Sequence, residues 1–140
     1  MIKQLFSSAV LCLGLTFSAA VWADDKLSKL LNSQVSVAGQ MTEPKFSALL
    51  KQGFKSVIVN RPDQETGNAA PVNTLREIAE RSHVSVIYQP VISGKISQTD
   101  IEEFAKYYNE LPKPVLLICR SGSRSTALFQ QAQHQGLLHE

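Results

Sequence analysis

Apolar positions along the chain alternate between two spacings. Asp24 to Ser33 is short and polar and reads as a loosely held arm, and Gln34-Val35-Ser36-Val37-Ala38 then alternates as a strand does. Gly39-Gln40 turns the chain, and Thr42-Glu43-Pro44 supplies a hydroxyl cap and a first-turn proline for a helix. Phe46, Leu49 and Leu50 give that helix one apolar face, and Gly53 ends it. Phe54 to Val59 predicts a second strand, broken by Asn60-Arg61-Pro62-Asp63 and a polar loop to Asn68. Val72, Leu75, Ile78 and Ala79 recur at helical spacing within Pro71 to Ser82, and Val84 to Tyr88 is a β-branched third strand. After a loop from Gln89 to Ile96, Ser97 caps a helix running to Asn109, with Asp100 in a box-like position and Ile101, Phe104, Ala105 and Tyr108 facing inward. Leu111-Pro112-Lys113-Pro114 is a rigid link to Val115–Ile118, the most apolar strand and hence the expected centre of the sheet. Cys119 to Ser123 opens into a last helix with Ala127, Leu128 and Ala132 inward and Gly136 at its end.

Strands alternating with helices imply βαβ units and a parallel sheet. The expected fold is therefore a single α/β domain over residues 24–140, with a central, mostly parallel four-stranded sheet flanked by four helices. No repeat, low-complexity tract or linker interrupts it.

The first residues follow a different pattern. One lysine, Lys3, precedes an apolar run from Leu5 to Val21, and Val21-Trp22-Ala23 leads into Asp24-Asp25. That order is the grammar of a secretory signal peptide, here residues 1–23. The run is shorter and richer in hydroxyls than a spanning helix requires. A periplasmic or secreted location is the expectation, without stable membrane insertion once the signal is cleaved. Losing Lys3 takes one charge from the 14 basic residues, against 12 acidic ones. A nearly neutral, evenly mixed surface speaks against nucleic acid or an acidic membrane as partner. Cleavage also removes Cys12, so Cys119 is the single cysteine of the mature chain. A lone thiol in an exported protein is a liability, and its surroundings decide between an inert core residue and a reactive one.

Those surroundings are Val115-Leu116-Leu117-Ile118-Cys119-Arg120-Ser121-Gly122-Ser123-Arg124-Ser125. The cysteine ends a buried parallel strand, the edge at which open α/β sheets bind ligands. A helix starts within a few residues, so free backbone N–H groups and the helix dipole favour an anion there. The same field and a nearby arginine lower a thiol's proton affinity. Gly122 lets the backbone bend, Arg124 offers a planar fork for phosphate or sulfate oxygens, and Ser125 can donate its hydroxyl to the sulfur. Arg120, Ser121, Gly122 and Ser123 form the anion-binding loop, with Arg120 expected to face outward. The three histidines, His83, His134 and His139, suggest no metal site, and no cofactor is implied.

Cys119-Arg120-Ser121-Gly122-Ser123-Arg124-Ser125 resembles the active loop of cysteine-based phosphatases and of rhodaneses. Four further segments, Val37 to Thr42, Gly53 to Ile58, Arg61-Pro62-Asp63 and Gly94 to Ser97, resemble the phosphatase-like domain of the beta-lactamase-hydrolase-like protein family. The resemblance extends from about Val35 to Gly136. It implies the compact fold of dual-specificity phosphatases, with Cys119 as nucleophile, Arg124 as oxyanion binder and Ser125 as the hydroxyl that follows. Three departures bear on chemistry. Four residues rather than five separate Cys119 from Arg124, the length found in rhodaneses. Ile118 stands where phosphatases often carry histidine. The Gln89–Ser97 loop lacks the aspartate that protonates the leaving oxygen, so Asp63 is the best substitute acid, with Glu65 behind it; a plain turn explains Arg61-Pro62-Asp63 equally well.

Three functions remain open on sequence. The first is a cysteine-thiolate phosphatase-like hydrolase acting on a phosphate ester through a Cys-linked intermediate. The second is a rhodanese-like sulfurtransferase carrying a persulfide on Cys119, fed by a sulfane-sulfur compound. The third is an inactive module that binds anions or a partner. In the first two the partner is a small anionic substrate.

Overall fold

The computed structural model describes residues 27–139; the expected signal segment lies outside the described residues. The strands are β1 (Lys29–Asn32), β2 (Val35–Ala38), β3 (Ser56–Val59), β4 (Ser85–Tyr88) and β5 (Val115–Ile118). The helices are α1 (Glu43–Leu50), α2 (Val72–Glu80), α3 (Gln98–Glu110) and α4 (Ser123–His134). The strands lie in the order β1-β2-β5-β3-β4. All neighbours pair in parallel except β1, which runs antiparallel to β2.

The α/β class, the parallel core and the central place of Val115–Ile118 agree with the sequence. The arm expected from Asp24 to Ser33 does not: part of it is β1, a fifth strand at the sheet edge. Its pattern hid it, because an edge strand packs on one side only and its Leu30 is exposed. Asn32 closes the hairpin by accepting the Gln34 N–H through Oδ1 at 2.7 Å, a local side-chain turn.

Strand β5 is buried at every position because helices cover both faces of the sheet. Its side chains alternate between two cores. Leu116 and Ile118 pack with Phe46, Leu49 and Leu75 beneath α1 and α2. Val115 and Leu117 pack with Phe104, Tyr108, Leu128 and Phe129 beneath α3 and α4. Each large side chain so buried contributes about 1.5–3 kcal/mol, which anchors the strand that carries the site. The caps follow the sequence reading. The Lys45 N–H bonds to Thr42 Oγ1, and Ser97 and Asp100 form a reciprocal capping box at α3. Among the described residues no helix is long and apolar enough to cross a membrane.

Candidate active site

Strands β2, β3 and β5 end at one edge of the sheet, and backbone bonds continue past their last residues. The Cys119 N–H bonds to Ala38 O at 3.1 Å and the Asn60 N–H to Ile118 O at 2.7 Å. Cys119 and Asn60 therefore leave adjacent central strands side by side. From Cys119 the chain turns through Arg120 and Ser121 to Gly122, which has φ +97° and precedes the first residue of α4. That left-handed geometry selects glycine. It points the Gly122 N–H back at Cys119 Sγ, 3.0 Å away. Thr126 holds the turn from the helix side, its N–H and hydroxyl both bonding to Gly122 O. The hydroxyls of Ser121 and Ser123 bond to each other at 2.7 Å across the loop.

A second glycine supports the loop from outside. A Cβ on Gly39 would lie 2.8 Å from Arg120 O and 3.1 Å from Ser121 Cα, so β2 leaves the sheet pressed against the cysteine loop. The sequence marked Gly39 only as a turn. Nothing in its neighbours signals a contact eighty residues away.

Cys119 is 1% exposed, yet it forms the floor of a cleft of about 420 Å³ shared with Glu65, Ser93, Arg120, Ser121, Ser123 and Arg124. A roomier groove near Phe54 and Pro114 lies at the opposite ends of the strands, away from this chemistry. Burial pushes the Cys119 thiol up, but donors outweigh it. The Ser125 N–H and hydroxyl and the N–H groups of Gly122 and Ser121 bring the net shift below the 9.0 of an ordinary cysteine. The thiolate is thus favoured by converging dipoles, with no histidine involved.

Arg124 is largely buried, and each part of its guanidinium has a distinct task. Nη1 donates to Val91 O at 2.9 Å and to Asn60 O at 3.4 Å. Nη2 pairs with Glu65 at 3.0 Å. Nε is buried without a partner. A buried unpaired donor on a charged group is costly. Glu65 also takes the Arg61 Nε–H at 2.9 Å, so one carboxylate stands between two buried guanidiniums. The Arg124 hydrogen bond, then its charge and that of Arg61, hold Glu65 below its ordinary 4.5 despite partial desolvation. Two buried arginines thus share one glutamate beside the cleft.

The structure brings together Cys119, Arg120, Ser121, Gly122, Ser123, Arg124 and Ser125, with Arg120 exposed on the cleft rim. It does not bring in Asp63. That carboxylate accepts the Val72 N–H at the start of α2 at 2.9 Å, while the Asp63 N–H bonds to Tyr88 Oη. Glu65, two residues on, occupies the cleft instead. Asn60 was read only as a strand breaker, yet it accepts the Ser125 hydroxyl at 2.8 Å. Its signal was available: it follows a buried parallel strand at the edge where Cys119 sits. Among the described residues no cluster of His, Cys, Asp and Glu side chains can hold a metal ion.

Comparison with known proteins agrees with this geometry. Residues 28–136 match the family described as "Beta-lactamase hydrolase-like protein, phosphatase-like domain". A beta-lactamase hydrolase-like protein of Xylella fastidiosa is 28% identical over 99 residues, which are 71% of this chain and 23% of that protein. This chain therefore corresponds to about a quarter of the curated relatives it matches. A candidate phosphatase from Neisseria meningitidis has a crystal structure that superposes with a TM-score of 0.67 at 28% identity, over 74% of this chain and 73% of that one. The core catalytic domain of a PP-IP phosphatase from S. cerevisiae shares the fold at TM-score 0.54 and 13% identity, over 77% and 74% of the two chains. A cysteine loop at the central strand, on a sheet of this topology and over this length of matching sequence, places the chain in the phosphatase-like domain family of beta-lactamase hydrolase-like proteins.

Proposed function

We propose that the chain is a cysteine-thiolate phosphatase-like hydrolase whose substrate is a small phosphate ester. One observation carries the reading: Cys119 Sγ lies under the Gly122 N–H while the unpartnered Arg124 Nε lies buried beside the same cleft. The thiolate attacks phosphorus, and the ester oxygen leaves as an alkoxide or phenoxide that takes its proton from solvent. Loop N–H groups and Arg124 hold the equatorial oxygens. Water then breaks the S–P bond, releasing dihydrogen phosphate and restoring the thiolate. Arg120 on the rim meets the remainder of the anionic substrate.

Sulfur transfer is the second reading, and two observations favour it. The loop has only four residues between Cys119 and Arg124. The cleft carboxylate, Glu65, is held ionised between arginines and is poorly suited to protonate a leaving oxygen. Attack of Cys119 on thiosulfate would give a persulfide and release sulfite, which departs without a proton.

Parallel assays of residues 24–140 with an aryl phosphate and with thiosulfate plus cyanide test the choice. Phosphate release that disappears in Cys119→Ser supports hydrolysis. Thiocyanate alone supports sulfur transfer. Silence in both, with anion binding kept in Cys119→Ser, leaves the binding module. Export belongs to the same proposal, and fractionation of cells making the full chain checks it.

A further inference from the structure

The turn after β2 touches both loops that build the cleft. Gly39 lies against Arg120 and Ser121 of the cysteine loop. Its neighbour Gln40 is exposed, yet its side-chain amide is engaged at both ends. Oε1 accepts from Arg61 Nη1, and Nε2 donates to Gly67 O at 2.8 Å. A guanidinium only donates and a carbonyl only accepts, so the two partners dictate which end of the amide faces which. Lys45 Nζ holds the Gln40 carbonyl oxygen from α1 at 2.9 Å. Arg61 is buried, and each of its three side-chain nitrogens has its own acceptor. Nε donates to Glu65 Oε1 at 2.9 Å, Nη1 to Gln40 and Nη2 to Thr66 O at 2.9 Å. Glu65 Oε1 also accepts from Arg124 Nη2 at 3.1 Å. An unbroken line of side-chain bonds therefore runs from Gln40 through Arg61 and Glu65 to Arg124. Its far end lines the cleft with Glu65 and Arg124, whereas Gln40 and Arg61 stand behind them.

We propose that Gln40 and Arg61 are positioning residues that set how tightly the cleft holds a tetrahedral oxyanion, acting on Arg124 through Glu65. A guanidinium is a rigid planar fork, and Gln40 and Thr66 fix its plane at the two terminal nitrogens. That plane fixes the Glu65 carboxylate, whose Oε1 lies between the two arginines. Arg124 is in turn held at Nη2 by Glu65 and at Nη1 by Val91 O and Asn60 O. Holding the arginine before a ligand arrives spares the binding step the cost of ordering it. With Gln40 truncated, Arg61 loses one of its three anchors, the carboxylate loses its fixed neighbour, and Arg124 must be ordered by the ligand itself. The inference rests on the same anion-binding cleft as the proposed hydrolysis, and it applies equally to an oxyanion of sulfur.

The test is a double-mutant cycle on the affinity for inorganic phosphate, titrated into isotope-labelled protein and followed at the Gly122 amide. It needs no turnover. Gln40 is exposed, so Gln40→Ala leaves no cavity, and it should raise the dissociation constant about three- to tenfold. In a Glu65→Ala background the same change should have almost no effect, because the link to Arg124 is already cut. A loss that merely loosened the loop would weaken binding in both backgrounds. An unchanged dissociation constant in Gln40→Ala overturns the proposal. So does an equal factor with and without Glu65, which would assign the effect to the Gly39 contact with the cysteine loop. If Glu65→Ala does not fold, Glu65→Gln replaces it; the Gln40→Ala factor should then be smaller than in wild type, and an equal factor overturns the proposal. A wild-type protein whose Gly122 amide shows no saturable response removes the anion site itself, and with it both this inference and the proposed hydrolysis.

Discussion

Two loops leave neighbouring strands at the same edge of the sheet, and they are built by different means. The loop after β5 makes its site from consecutive residues: Cys119 through Ser125 supply the thiol, the amides, the arginine and the hydroxyl. The loop after β3 reaches across to hold the first loop. Its Asn60 takes the Ser125 hydroxyl, its Glu65 pairs with Arg124, and its Arg61 clamps Glu65 while bonding to Gln40 Oε1 and Thr66 O. One loop gathers its groups by sequence proximity, the other holds them by long-range pairing. Damage to the first should abolish chemistry, and damage to the second should detune it.

The largest expected effect is that of Cys119→Ser, which should reduce phosphate release to background in steady-state assays. Activity retained there would remove the covalent step. Arg124→Lys comes next, because an ammonium cannot present the two-pronged fork. Turnover should fall by about 10²- to 10³-fold, the size of losing one preorganised oxyanion donor. Both changes strike the first loop.

Glu65→Gln probes the second. Arg124 keeps its bonds to Val91 O and Asn60 O, so activity should fall by only about tenfold. The change also removes a pH-dependent contribution to stability. A carboxyl whose folded proton affinity is lowered stabilises fully above its unfolded value of 4.5, and that contribution is lost as pH falls through the lower folded value. Urea titrations should therefore show wild type weakening below about pH 4.5 with a component that Glu65→Gln lacks. A Glu65→Gln loss as large as that of Arg124→Lys would erase the contrast between the loops. The smallest effect should be that of Asp63→Asn. Its carboxylate serves the Val72 N–H, so a stability cost of about 0.5–2 kcal/mol is expected with turnover nearly unchanged. A selective fall in ester cleavage there would restore Asp63 as the acid.

The same division explains what could be read from the chain. The parallel sheet, the central place of β5 and the caps at Thr42 and Ser97 are encoded by local spacing and residue type, and they appear as expected. So does the cysteine loop, whose parts are contiguous. Strand β1 was missed because it lies at an edge and alternates weakly. Glu65 was placed behind Asp63 rather than ahead of it, because which of two acidic residues turns inward depends on where Val72 and Arg124 lie. Gly39 and Asn60 were read as a turn and a breaker. Their roles depend on contacts with Arg120 and Ser125, which only the folded sheet brings near.

The central claim is that this fold keeps one buried sulfur ionised for attack. Titration of the wild-type thiol, taken as the ultraviolet difference between it and Cys119→Ala, tests that claim most directly. A midpoint clearly below the 9.0 of an ordinary cysteine is expected. A midpoint at or above that value would contradict the claim and leave Cys119 as packing.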